Sequence, residues 1–365
     1  MNNPEQLAKF EQQIDPQLRE LLRATPDLLH DLPTLREIQA RVSDYLVEYG
    51  NNLRHSAEVR IYDWEVPRTQ TSAAVTVRCY EPKRYEPKSY EPKSYEPKSD
   101  KPNNDIPLPV LLWIHGGGFI SGDVKSNDSI CENFVLECNC IVVSAEYRLT
   151  PQYPYPAGFD DCYAVLEWLA NSGTEKLNID VDSIAVGGSS VGGCLAAGVA
   201  LKACETDGPK IKHQLLLIPV LDDRHLTQSS RDITDHRVVW NRDLSLLAWD
   251  GYLHDVFGET PSYAAPARAK TIPKLPSTFI SVEEQDLLRD ESIVYAQRLM
   301  QAGVTTELHV YPGTFHGSFM DAPEADVSKQ HMADAFNSLK KALSQDSDSE
   351  GADCGIPKDW YTATD

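Results

Sequence analysis

The chain has no apolar run approaching the ~20 residues that a membrane-spanning helix requires, so the sequence predicts no span. Its first residues, Met1 to Gln13, lack a basic start followed by an apolar stretch. The expectation is a cytoplasmic protein with no secretory signal. Basic side chains are in short supply: 34 Lys and Arg stand against 55 Asp and Glu, a net charge of −21. A surface of that sign repels phosphate backbones and anionic lipid, which argues against nucleic acid as a partner. Zinc-type cysteine spacing is also missing. The eight cysteines are scattered; Cys138 and Cys140 flank Asn139, and no second pair completes a metal site. They read as reduced thiols. What the chain does have is 365 residues and an apolar fraction of 41%, enough to bury a sizeable core.

The first 55 residues read as a helical region. Asp15 followed by Pro16 is a helix start, with Leu18, Leu21 and Leu22 at helical spacing behind it. Thr34 with Glu37 fits a capping box, and Leu35, Ile38 and Val42 form its apolar stripe. From Val59 the text turns β-like, including Ala73 to Cys79. Residues 80–104 then read as a low-complexity, Pro-rich loop, because Tyr-Glu-Pro-Lys recurs from Tyr80, Tyr85, Tyr90 and Tyr95. A proline every five residues is incompatible with helix or central strand.

Beyond the repeat, strand and helix patterns alternate. Leu108–Ile114, Ile141–Ala145, Ile184–Val186, Leu215–Val220, Thr278–Val282 and Leu308–Tyr311 are short apolar runs followed by turn residues. Asp160–Asn171, Val191–Lys202 and Ser292–Gln301 read as helices between them. Continuous apolar runs indicate strands buried on both faces. The pattern therefore predicts an α/β fold, a mostly parallel central sheet with helices on both sides. In such sheets ligands sit beyond the carboxyl ends of the strands. The predicted core comprises residues 56–221 and 263–345. Residues 222–262, with Trp240, Trp249 and Tyr252, break the rhythm and read as a helical cap insertion; residues 346–365 read as an acidic tail.

Chemistry-bearing residues fall where that rule puts them. Gly188-Ser189-Ser190-Val191-Gly192 follows the third core run and opens a helix. A sharp strand-to-helix turn holds a central serine strained and exposed, while flanking glycines admit close backbone. The helix N-terminus adds positive potential where an oxyanion would form. His115-Gly116-Gly117-Gly118 follows the first core run. A triple glycine there is explained if bare amides must line a pocket, and neither phosphate-binding glycine pattern is present. His115 reads as a loop-fixing residue. Five acids follow Thr278–Val282, namely Glu283, Glu284, Asp286, Asp290 and Glu291, and His316 follows Leu308–Tyr311. The order serine, acid, histidine is that of an α/β-hydrolase.

From about Arg78 to Leu343 the chain resembles the hormone-sensitive-lipase-like carboxylesterases, α/β-hydrolases with an HGGG loop. Pro109 to Phe119 is similar to the family's oxyanion segment. Glu146 to Pro151 with Pro154 to Asp161 is similar to its YRLAP stretch, and Gly188 to Gly193 to its GDSAGG elbow. Glu284 to Glu291 is similar to its E-x-D-P-L-R-D-E, and Tyr311 to Gly317 to its final motif. The resemblance singles out Asp286 as the triad acid. It implies a Ser190–His316–Asp286 triad and oxyanion donors at Gly116, Gly117 and Val191, with His115, Gly118, Gly188 and Gly192 in support. Ser189 stands where the family usually has Asp, Val191 where it has Ala, Leu287 where it has Pro and Ser318 where it has an aromatic residue.

These readings imply a serine esterase acting on small-molecule esters of short to medium acyl chains, with no metal or organic cofactor. The N-terminal helices and the cap insertion are expected to roof the acyl site. A homo-oligomer is compatible with the sequence. An amide or peptide hydrolase would use the same triad, because fold and triad do not fix the leaving group. A non-catalytic hormone-binding relative would lack the triad histidine, and His316 is present.

Overall fold

A computed structural model of the chain describes residues 4–24, 34–42, 55–68, 74–83, 106–233, 237–238 and 240–344. Eight strands form one sheet: β1 (Val59–Pro67), β2 (Ala74–Pro82), β3 (Leu108–Ile114), β4 (Ile141–Ala145), β5 (Ile179–Ser189), β6 (His213–Leu217), β7 (Ser277–Glu283) and β8 (Thr306–Tyr311). Their spatial order is β1-β2-β4-β3-β5-β6-β7-β8. The β1–β2 and β2–β4 pairs are antiparallel, and every later pair is parallel.

Side chains alternate across this sheet, and each face has its own helices. Val110, Leu112 and Ile114 of β3 join one core with α5 (Ala157–Asn171), α6 (Val191–Glu205) and α9 (Arg289–Gln301). Leu111 and Trp113 join the opposite core with α4 (Asp128–Cys138) and α11 (Asp326–Ser344). Two buried faces explain why β3 and β4 read as unbroken apolar runs.

The N-terminal region packs onto the carboxyl end of the sheet. α1 (Pro4–Gln13) and α2 (Arg19–Ala24) enclose Asp15, whose side chain accepts the Gln17 amide at 2.8 Å, as a helix-start residue does. Ile14, Leu18 and Leu22 bury themselves against Val238 and Phe315. The Asp15 amide donates to the Gly313 carbonyl at 2.9 Å. Residues 35–42 form helix α3 behind Thr34, whose hydroxyl bonds the Glu37 carboxylate at 2.7 Å. Gln39 of α3 donates to the carbonyl of Ile120 at 2.7 Å.

Residues 222–262 contain α7 (Ser229–Asp232) and α8 (Arg242–Tyr252). Trp249 and Tyr252 of α8 lie 5.2 and 3.9 Å, centroid to centroid, from Phe119, just after the triple glycine. α7 is stapled to α9: the Ser229 amide donates to Asp290 and its hydroxyl to the Leu287 carbonyl.

One boundary needs correcting. The loop expected over residues 80–104 begins later, because β2 runs through Tyr80, Glu81 and Pro82. Tyr80 is fully buried and its hydroxyl donates to Asp128 at 2.7 Å. The first copy of the repeat is thus strand. Burial of the tyrosine outweighs the proline, which falls at the strand's last position, where no further ladder bond is lost. The later copies, from Tyr85 on, and the acidic tail lie outside the described residues. The seven described cysteines are free thiols, as expected.

Candidate active site

β5 hands over to α6 through one residue, Ser190. Its backbone sits at φ 56°, ψ −120°, a conformation costing a non-glycine residue about 1–3 kcal/mol. Three hydrogen bonds hold it there. The Ser190 amide donates to the Leu217 carbonyl at 2.8 Å, and its own carbonyl accepts from Val220 and Cys194. Gly188 precedes the turn and Gly192 follows it. A side chain at Gly192 is impossible, since a Cβ there would stand 1.9 Å from the Ile114 carbonyl oxygen.

The Ile114 end of β3 leads directly into the triple glycine. Gly116 lies against the elbow; a Cβ there would be 3.5 Å from the Ser190 Cβ. Gly117 takes φ +118°, closed to L side chains, and its carbonyl accepts from Ser121. The amides of Gly116, Gly117 and Val191 have no acceptor among the described residues. Trp240 packs over Gly118. His115 is fully buried and donates to the Gly116 carbonyl at 2.7 Å. Its ring stacks on Tyr147 at 4.3 Å, and burial pushes its pKa down. Its contacts are thus to the loop itself and to Tyr147.

His316 occupies the turn after β8. Its Nδ1 lies 2.6 Å from Asp286 Oδ2 and its Nε2 lies 2.9 Å from Ser190 Oγ. A carboxylate can only accept, so Nδ1–H donates to Asp286 and Nε2 is left to accept from Ser190. The other Asp286 oxygen receives the Leu288 amide at 3.0 Å. All three residues are buried, with Ser190 and His316 at 6% and 7% exposure. Trp240, which sequence reasoning assigned only to the cap, lies 6.0 Å from the His316 ring.

The five acids at and after the end of β7 separate clearly. Asp286 meets the histidine. Glu284 accepts the Gly313 amide, Asp290 holds Ser229, and Glu291 accepts the Leu221 amide. Glu283 bonds Gly317 and Ser318, the two residues after His316. Glu283, Asp286 and His316 also bring ligand-type atoms within 4.8 Å of one another. Their oxygens are already engaged by amide, hydroxyl and imidazole donors, which is not the donor set of a cation cage. A cleft of about 480 Å³, lined by Asp222, Arg224, Arg268, Glu291 and Arg298, opens beside the cap without touching the triad.

Ser189, where the resembled family has Asp, is buried, and its hydroxyl finds no partner among the described residues. The elbow is held by the backbone bonds above.

A doubly covered, mostly parallel sheet with this strand-end assembly defines an α/β-hydrolase. Comparisons agree. The family model described as alpha/beta hydrolase fold matches residues 111–320, and the chain belongs to that family. Within it, the chain falls among the hormone-sensitive-lipase-like carboxylic ester hydrolases. Esterase LipI of Mycobacterium tuberculosis is 36% identical over 57% of this chain and 65% of its own length. Carboxylesterase NlhH of the same species is 35% identical over 65% of this chain and 74% of its own. The solved structure titled Bacterial Heroin Esterase superposes with a TM-score of 0.81 at 36% identity, covering 92% of this chain and 99% of that one. No described helix is long and apolar enough to cross a membrane.

Proposed function

We propose that the chain is a serine carboxylesterase that hydrolyses short- to medium-chain acyl esters through an acyl-enzyme. The observation that carries this reading is the unbroken line from Asp286 through His316 to Ser190, with contacts of 2.6 and 2.9 Å. Ser190 attacks the ester carbonyl while His316 Nε2 takes its proton. The imidazolium then gives that proton to the leaving alcohol. Asp286 holds the ring in the Nδ1–H form and balances its charge. The free amides of Gly116, Gly117 and Val191 receive the oxyanion, each contributing on the order of 3 kcal/mol to the transition state. Water, activated by the same imidazole, then releases the acid.

The acyl limit follows from the roof. Trp240 covers Gly118 and faces His316, while α1 and α2 pack on Phe315, the residue before the catalytic histidine. A panel of p-nitrophenyl esters from acetate to palmitate, with a p-nitroanilide control, tests the reading. Activity is expected to peak at short to medium acyl chains and to be absent on the anilide. Ser190→Ala is expected to lose on the order of 10⁴- to 10⁶-fold in kcat. An organophosphate is expected to label Ser190 alone. An active Ser190→Ala enzyme overturns the assignment.

A further inference from the structure

Glu283 ends β7, and the mechanism above gives it no task. Its carboxyl is fully buried. Oε2 accepts the Gly317 amide at 2.7 Å, Oε1 shares a 2.8 Å hydrogen bond with the Ser318 hydroxyl, and the Phe319 amide is a third donor. These three residues directly follow His316. Asp286, three positions on from Glu283, bonds the ring of that histidine. One strand end thus offers two carboxyls to one residue's surroundings: one grips the imidazole, the other grips the backbone behind it.

Space-filling alone does not explain this arrangement. A buried carboxyl is costly unless donors meet it, and an apolar side chain would fill the same volume without that cost. The hydroxyl opposite is itself a departure, since Ser318 stands where the resembled family carries an aromatic residue. Both ends of the bond are polar in this chain.

We infer that Glu283 is a positioning residue of the triad, clamping the Gly317–Phe319 turn so that the His316 imidazole stands between Asp286 and Ser190; the inference rests on the triad reading. Burial, and then the negative charge of Asp286, push the Glu283 carboxyl well above its ordinary range. That direction favours the protonated carboxyl, which adds no charge beside His316; Asp321, also buried, is a further acid whose charge reaches the ring. The other groups around Glu283 are engaged elsewhere. Glu284 turns to Gly313, and Tyr311, its register partner on β8, bonds Asp334.

The experiment compares Glu283→Ala, Glu283→Gln and Ser318→Ala by melting temperature, kcat, KM, pH–rate profile and organophosphate labelling. A misplaced catalytic group costs about 10²-fold, so Glu283→Ala is expected to lose about that in kcat with KM held within about twofold. Gln keeps an acceptor for Gly317 and a donor for Ser318, and is expected to restore kcat to within about threefold of the parent with an unmoved acid limb. Ser318→Ala keeps the amide bonds and is expected to lose roughly three- to tenfold. A folded Glu283→Ala enzyme with parental kcat overturns the inference. So does a Gln variant as slow as Ala. Removing a real negative charge would lower the imidazole's proton affinity, so an acid limb moved to lower pH by more than about 0.5 unit in Glu283→Gln overturns the neutral clamp. Should Glu283→Ala fail to fold, Ser318→Ala decides: the stated loss supports the clamp and an unchanged kcat overturns it. A parent enzyme that takes no label at Ser190 sinks the triad reading; equal labelling of parent and Glu283→Ala sinks only the clamp.

Discussion

Ser189 and Ser190 are adjacent, both buried, and differ in what their hydroxyls meet. Ser190 Oγ has an imidazole at 2.9 Å; Ser189 Oγ has no partner among the described residues. A buried hydroxyl without a bond carries a desolvation penalty on the order of 1–3 kcal/mol. Ser189→Ala is therefore expected to melt at the same or a higher temperature and to keep kcat within about threefold. A fall of several degrees would show that the hydroxyl is used. The serine and histidine were legible because each follows an apolar run at a strand end. The acid was not legible from position alone, since five carboxylates lie at or just after the end of β7 and only the family resemblance chose among them. Glu283 gave no local signal of its contacts. Its partners are 34 and 35 residues away and meet it only when the turn after β8 folds back.

Among the elements, β3 and β4 were read with their observed ends because both faces bury apolar side chains and turn residues bound the runs. β5 was read as three residues of its eleven, since Asp180, Val181 and Asp182 at its start are half-buried or exposed and break the apolar pattern. The end of β2 was hidden by the repeat, whose charges and prolines dominate the local text. α4 and α11 went unread; buried Asp128 and Glu132 interrupt the inward stripe of α4, and buried Ser328, His331 and Ser338 that of α11. The N-terminal helices were expected as a roof, and their stripe covers the histidine turn. Leu18, fully buried against Ile14, Leu22 and Phe315, tests that coupling. Leu18→Ala is expected to cost roughly 2–5 kcal/mol of stability and to lower kcat several-fold, because Phe315 carries His316. Melting curves and ester kinetics on the same preparation check this. A lower melting temperature with unchanged kcat would separate the helices from the catalytic turn.

For the whole molecule, acid sensitivity is built into buried histidines, His331 and His213 beside His115 and His225. His331 on α11 lies between the rings of Tyr311 and Phe319, with centroids at 4.3 and 4.2 Å, and neither nitrogen has a partner among the described residues. Burial pushes its pKa down to about 3, and that of His213 down to about 4. Both are neutral when folded and regain an ordinary value near 6.5 when unfolded. The unfolded chain therefore binds more protons through the window from about 6.5 down to about 3, and stability falls as pH falls through it. Each histidine adds a slope approaching ~1.4 kcal/mol per pH unit. His331→Phe removes one such group without breaking a hydrogen bond. Its melting temperature, followed from pH 7 to pH 4, is expected to decline less steeply than the parent's, and an equal decline would refute the assignment.

The ends of the repeat segment also have a place in this geometry. β2 finishes at Pro82 and β3 starts at Leu108, both at the edge from which the parallel strands depart. The reacting groups stand at the far edge, one strand length or roughly 20 Å away. A pentapeptide gained or lost between Pro82 and Leu108 lengthens or shortens the chain between two ends anchored on the remote side. Changing the number of pentapeptides between those anchored ends is therefore expected to leave ester turnover unaltered, which kcat across a length series checks.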